Sequence, residues 1–160
     1  QFLRLTTDEP VARVQIHEQA PGQFQLTAEA PGLGTRMYPL AGDQWQIDAK
    51  VVRWRLPALL AGAPPLYAFE RLSGRHSDIA REQAAPRSVH ALADWPVPDL
   101  AALKRVFPNW LPFVDVQYGS AAYMPMFDGA RYRVYMDPRG AVVIRPEGEA
   151  TEERLRELGW

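Results

Sequence analysis

The stretch YGSAAYMPMFDGARYRVYMDPRGAVVIRP, residues 118–146, decides the fold. It alternates, turns, alternates, turns and alternates again. Asp128-Gly129 separates the first two segments, and Asp-Gly supplies the positive φ of a two-residue hairpin turn. Asp137-Pro138-Arg139-Gly140 separates the next two, with proline at the second turn position and glycine at the fourth. The pattern predicts three antiparallel strands, with residues 118–146 pairing around Asp128-Gly129.

The same grammar extends towards the N-terminus. Ala12, Val14 and Ile16 alternate with Arg13, Gln15 and His17, the period of a half-buried strand. Ala20-Pro21-Gly22-Gln23 reads as a type II turn, and Phe24, Leu26 and Ala28 then share a face. Pro31-Gly32-Leu33-Gly34 breaks the chain again before a third strand over residues 35–40. Pro39 marks that strand as an edge or an ending, because proline cannot donate to a ladder. Trp45, Ile47, Ala49 and Val51 alternate with polar neighbours. The phase then slips by one, to Val52 and Trp54, which predicts a bulge near that point.

Further strands are expected over residues 67–73 and 88–92. A short helix capped by Ser77 is expected to run through Gln83. Another starts near Pro98, with Leu100, Leu103, Val106 and Phe107 at helical spacing. Thr151 caps a last amphipathic turn. The expected fold class is α+β and β-rich: an antiparallel meander sheet or a small, partly closed barrel, with two or three short helices.

Length and composition agree with one folded unit over residues 1–160. The chain has 160 residues, 47% hydrophobic and 23% charged, so it can bury a sizeable core. A net charge of -1 gives no global field towards polyanions, and no nucleic-acid partner is expected. Without cysteine, disulfides, thiolate nucleophiles and cysteine-based zinc sites are excluded. No apolar run reaches the roughly 18 residues of a spanning helix.

The chemical motifs are sparse. His17, His76 and His90 show no metal-ligand spacing, and no metal or cofactor is expected. Ser120 lies in Tyr118-Gly119-Ser120-Ala121, which lacks the nucleophile-elbow pattern. If a catalytic site exists, Asp48, His90, Asp115 and Ser120 are its candidates, brought together only in three dimensions. The reading favours no catalysis.

Binding residues are easier to nominate. Arg71, Arg75 and Arg87 flank the Ser77 helix, where guanidinium forks suit phosphate or carboxylate. The rival role for them is ion pairing with Glu70, Asp78 and Glu82. Residues 56–66 read as an apolar, proline-rich loop, and one expected role is to expose Leu59, Leu60 and Leu66 together. Arg53 and Arg55 stand at its base, placed to meet lipid headgroups or an acidic partner. The competing role for these leucines is to cap one end of the sheet.

Three segments carry a resemblance: Gly42-Asp43-Gln44-Trp45-Gln46-Ile47-Asp48-Ala49, then Arg71-Leu72-Ser73-Gly74-Arg75, then Tyr118-Gly119-Ser120-Ala121 continuing to Met126-Phe127-Asp128-Gly129. In order and spacing the chain resembles uncharacterised proteobacterial membrane proteins loosely labelled cation or multidrug efflux pump proteins. The resemblance implies a soluble domain that follows one or two apolar helices, and the start at Gln1 fits an upstream segment removed. It implies a periplasmic domain at the inner membrane, with a membrane surface or an envelope protein as partner. It carries over no catalytic residues.

Overall fold

The computed structural model describes residues 9–54, 66–84, 88–92, 114–137 and 140–160. Within them the strands are β1 (Ala12–Ala20), β2 (Gln23–Ala30), β3 (Gly34–Ala41), β4 (Gln44–Trp54), β5 (Leu66–Arg75), β6 (Val89–Ala91), β7 (Val114–Pro125), β8 (Arg131–Met136) and β9 (Val142–Pro146). Helix α1 spans Ile79–Ala84 and α2 spans Glu149–Glu157. The strands form a five-stranded sheet, β3-β2-β1-β8-β9, and a four-stranded sheet, β6-β5-β4-β7. Every pairing among the described strands is antiparallel. The protein is a β-rich α+β fold of two sheets, and they do not close into a barrel.

Alternation explains how the sheets meet. Val14 and Ile16 of β1, Leu26 of β2, and Tyr132 and Val134 of β8 turn inward from the five-stranded sheet. Trp45, Ile47, Ala49 and Val51 of β4 and Leu72 of β5 turn inward from the other. All belong to one buried cluster. The Trp45 and Tyr132 rings join the two layers, with centroids 5.7 Å apart at 53°, a tilted contact that suits their quadrupoles. Burial pushes the Tyr67 phenol up to about 12 and raises that of Tyr132 as well, because the phenolate would lose its hydration. The Tyr132 hydroxyl donates to the Pro125 carbonyl at 2.7 Å, tying the end of β7 to β8.

The turns formed where the glycines and prolines placed them. Gly22 has φ 73 in the β1–β2 turn and Gly32 has φ 79 in the β2–β3 turn. Pro39 lies in β3, which is an edge strand of its sheet. The Asp137–Gly140 turn joins β8 to β9, with the Gly140 amide donating to the Asp137 carbonyl at 2.8 Å.

The Asp128-Gly129 expectation needs correction. A tight turn does form, with the Ala130 amide donating to the Phe127 carbonyl at 3.1 Å. It does not close a hairpin: β7 pairs with β4, whereas β8 pairs with β1 and β9. Of the two turn residues only Gly129 has positive φ, 81°, so the turn lacks the doubly left-handed geometry of the favoured hairpin type. The Gly129 amide donates to the Ile16 carbonyl at 2.8 Å, and the Ile16 amide to the Ala130 carbonyl at 2.8 Å. The turn thus hands the chain from one sheet to the other.

Three local expectations shift similarly. The irregularities of β4 lie in its partners: Asp48 pairs with Arg71 and Ala49 with Phe69, leaving Glu70 over, and Arg53 pairs with Val116 while Trp54 pairs with Val114. Asp78, not Ser77, caps α1, accepting the Ala80 amide at 2.9 Å. Thr151 lies within α2, buried, and accepts the Arg131 amide at 3.1 Å. Val89–Ala91 pairs with β5, as the strand expected over 88–92 requires. The helix expected after Pro98 lies outside the described residues.

Candidate binding face on the four-stranded sheet

The three segments of the resemblance are neighbours in space. Strand β4 is central, and β5 and β7 flank it. Gln44 pairs with Arg75 and Pro125, Gln46 with Ser73 and Tyr123, and Asp48 with Arg71 and Ala121.

Their glycines are explained by packing at one corner. A Cβ on Gly42 would stand 2.2 Å from the Arg75 carbonyl oxygen, and one on Gly74 would stand 2.2 Å from the Ala41 carbonyl oxygen. Both distances are far inside van der Waals contact, so the two backbones close up only as glycine. Asp43 locks the same corner. Its amide donates to the Arg75 carbonyl at 3.0 Å and its carbonyl accepts from the Met126 amide at 2.8 Å. Its carboxylate accepts from the Ser77 amide at 2.7 Å and from the Ser77 hydroxyl. Ser88 Oγ accepts from the Ala41 amide at 3.0 Å. These polar residues hold the junction of the two sheets and are committed there.

Outside this corner the sheet presents paired charges. Arg71 Nε lies 3.1 Å from Asp48 Oδ2, and Gln46 donates to the other oxygen of Asp48 at 2.8 Å. Lys50 Nζ lies 2.8 Å from Glu70 Oε1, and Glu70 is the extra residue of the bulge. The Arg75 guanidinium sits 4.2 Å above the Tyr123 ring, favoured by the negative face of the π system. Trp160 meets Tyr123 edge-on, with centroids 5.9 Å apart at 87°.

The C-terminal turn places Trp160. Gly159, at φ 86, follows α2; the Gly159 amide donates to the Arg156 carbonyl and the Trp160 amide to the Leu155 carbonyl at 2.9 Å. That pair of bonds is a Schellman motif, which reverses the chain off the helix end. Tyr123 is 44% exposed and Trp160 50%.

The nominated residues are placed as follows. Arg71 and Arg75 share β5 but do not converge: one is paired with Asp48, the other stacked on Tyr123. The ion-pairing role is real for Arg71, with Asp48 as partner. Glu70 pairs instead with Lys50, and Glu82 lies 3.6 Å from His76 Nδ1. The Arg53 backbone lies in β4 opposite Val116, and Leu66 starts β5 opposite Val52. Arg55, Leu59, Leu60 and Arg87 lie outside the described residues.

The residues nominated for catalysis are dispersed. His90 Nε2 is 2.7 Å from the Pro39 carbonyl, and its ring packs on Tyr38 at 5.4 Å. Ser120 Oγ accepts the Val142 amide at 3.1 Å. Ser120 lies in register with inward-facing Ala49, whereas Asp48 faces out. Asp115 is the extra residue of β7 at the second bulge. Among the described residues no three His, Asp or Glu are grouped to hold a metal, and no helix is long and apolar enough to cross a membrane.

Tyr123 and Trp160 were not nominated from sequence. Alternation put Tyr123 in phase with Gly119 and Ala121, and Gly159 announced the reversal that sets Trp160. Their meeting depends on where α2 docks, which no local signal gives. No family model, no curated protein and no solved structure matches the chain.

Proposed function

We propose that this chain is a non-catalytic domain tethered at the periplasmic side of a bacterial inner membrane, where it docks on an envelope protein in an efflux-related assembly. The Arg75-Tyr123-Trp160 stack, with Tyr123 and Trp160 exposed, carries the docking part of this reading. Arginine, tyrosine and tryptophan dominate interface hot spots, because they bring large contact area with few rotors to fix. Val89, half exposed on the adjoining edge strand, extends the surface. The tether rests on the resemblance of the three segments now seen to adjoin on one sheet. Catalysis is disfavoured because Asp48, His90 and Ser120 each make a structural contact in a different place.

The test uses the full-length reading frame in its own host. A photo-crosslinking residue at Val89 should trap one envelope protein, and Tyr123→Ala with Trp160→Ala should abolish that product. The protein should also pellet with membranes and resist salt extraction. Full-length protein found wholly in the soluble fraction would sink the tether, and a crosslink indifferent to the double substitution would sink the docking face.

A further inference from the structure

The outer face of the five-stranded sheet holds an arrangement that its fold does not need. Arg13 of β1 pairs with Arg133 of β8, and Arg133 pairs with Arg145 of β9. Three guanidinium side chains therefore stand in one row across three strands, about 5 Å apart at their roots. Arg131 adds a fourth, two residues along β8 and opposite Gln15. Like charges directly opposite on a sheet repel and destabilise it.

Among the described residues no carboxylate lies within salt-bridge distance of these four guanidinium groups. Glu29 faces Arg13 in register and Glu147 borders Arg131, but both stand at the margin without closing a pair. Arg133 Nε is buried and has no hydrogen-bond partner among the described residues. Only Arg145 has a neighbour that orients it, the Tyr135 ring at 5.7 Å. A buried donor without an acceptor costs free energy.

We infer that this face is a contact surface for anionic phospholipid headgroups. The inference rests on the reading that the domain is tethered at a membrane. Three features select a lipid surface. The row lies on a broad sheet face beside an open cleft of about 290 Å³ whose lining includes the carboxylates of Glu29 and Glu147, which disfavour a small anion inside it. The face offers Tyr135 as its aromatic, and Arg145 already covers that ring, so successive bases have no platform on which to stack. The chain's net charge of -1 draws no polyanion from a distance. A short-range cationic row acts on contact with an anionic surface, most strongly at low ionic strength, and a tether adds to it by raising local concentration.

The chain itself tests this, by flotation with vesicles at low ionic strength. Vesicles of equal parts phosphatidylglycerol and phosphatidylcholine should carry it, and vesicles of phosphatidylcholine alone should not. Each arginine removed should weaken binding about fivefold, so Arg13→Gln with Arg145→Gln should lower it about 25-fold. Both side chains are exposed, so the double variant should melt as the parent does. Arg71→Gln, on the opposite sheet, should bind as the parent does. Equal binding to both vesicle types, no binding to either, or full binding by the double variant would each overturn the inference. Tighter binding to duplex DNA or single-stranded RNA than to the anionic vesicles would also overturn it, and assign the row to nucleic acid. Vesicle binding is read on this chain and the tether on full-length fractionation, so the two readings fail separately.

Discussion

The two sheets follow one rule inside and opposite rules outside. Inward, both supply alternating apolar side chains to a single core. Outward, the four-stranded sheet sets Asp48 against Arg71 and Lys50 beside Glu70, and stacks Arg75 on Tyr123. The five-stranded sheet sets Arg13 against Arg133 and Arg133 against Arg145. One face pairs or stacks these charges and offers aromatic surface. The other leaves Arg13, Arg131, Arg133 and Arg145 without an ion-pair partner among the described residues. Alternation decides that a residue faces water; register decides what it faces there.

The glycines of the two sheets differ in the same way, and they give the largest expected effect. In the five-stranded sheet and its turns a Cβ on Gly22, Gly32, Gly34 or Gly129 would meet nothing within 4 Å. At the corner of the four-stranded sheet, a Cβ on Gly74 would strike the Ala41 carbonyl oxygen at 2.2 Å and Ser88 Oγ at 2.9 Å. Backbone cannot give way as a flexible side chain can. Gly74→Ala should therefore cost about 3 kcal/mol or more, lowering Tm by roughly 10 °C in a domain of this size. Gly119→Ala, in β7 with its nearest contact at 4.0 Å, should stay within about 0.5 kcal/mol of the parent. Equal melting of the two variants would mean that the corner is looser than described.

The next effect sharpens the core that the sheets share. Tyr67 is buried on the four-stranded side, and its phenol is pushed up to about 12 from 10.0. A group with a raised folded pKa gives stability that is complete below its unfolded pKa and lost as pH rises through the folded one. Stability should hold to about pH 10 and then fall, with Tyr67 contributing about 3 kcal/mol of the loss towards pH 12. Urea unfolding across that window checks it, and Tyr67→Phe should make the fall shallower, leaving the share of Tyr132, which burial also raises. An identical alkaline slope in Tyr67→Phe would assign the loss elsewhere. Tyr132 on the five-stranded side also donates to the Pro125 carbonyl. Tyr132→Phe should therefore cost about 1 kcal/mol already at neutral pH, by leaving that acceptor unmet.

Turn chemistry was the most legible part of the sequence. Pro21-Gly22 and Pro31-Gly32 encode their reversals locally, because proline pre-sets one φ and glycine supplies the positive one. Asp128-Gly129 was equally legible as a turn and misleading as a hairpin. A turn specifies that the chain reverses, not which strand receives it, and here Ile16, more than a hundred residues earlier, receives it. The phase slip in β4 signalled a bulge, but the extra residues, Glu70 and Asp115, sit in the partners. The nominated Arg71 and Arg75 were found on one face because they share a strand. The Arg13-Arg133-Arg145 row was illegible, because it joins three strands distant in sequence through register alone.

The smallest effect compares the two outer faces directly. Arg71→Gln removes one partner of a surface ion pair, in which Arg71 is 61% exposed and Asp48 13%. Such pairs contribute at most about 1 kcal/mol, so the variant should be slightly less stable than the parent. Arg133→Gln removes the middle charge of a repelling row and relieves two like-charge contacts, each costing a few tenths of a kcal/mol by order of magnitude. That variant should be as stable as the parent or slightly more so. Salt should bring the two variants together, from opposite sides of the parent. Raising ionic strength from about 0.01 M to about 1 M shortens the screening length from about 30 Å to about 3 Å. It should narrow the gap between Arg71→Gln and the parent by weakening the parent's ion pair. It should narrow the gap for Arg133→Gln from the other side, by quieting the parent's repulsion. If both substitutions destabilise alike and salt moves them in the same direction, the two faces do not differ in kind. The unpaired arginines would then be solvated side chains, with no strain for a ligand to relieve.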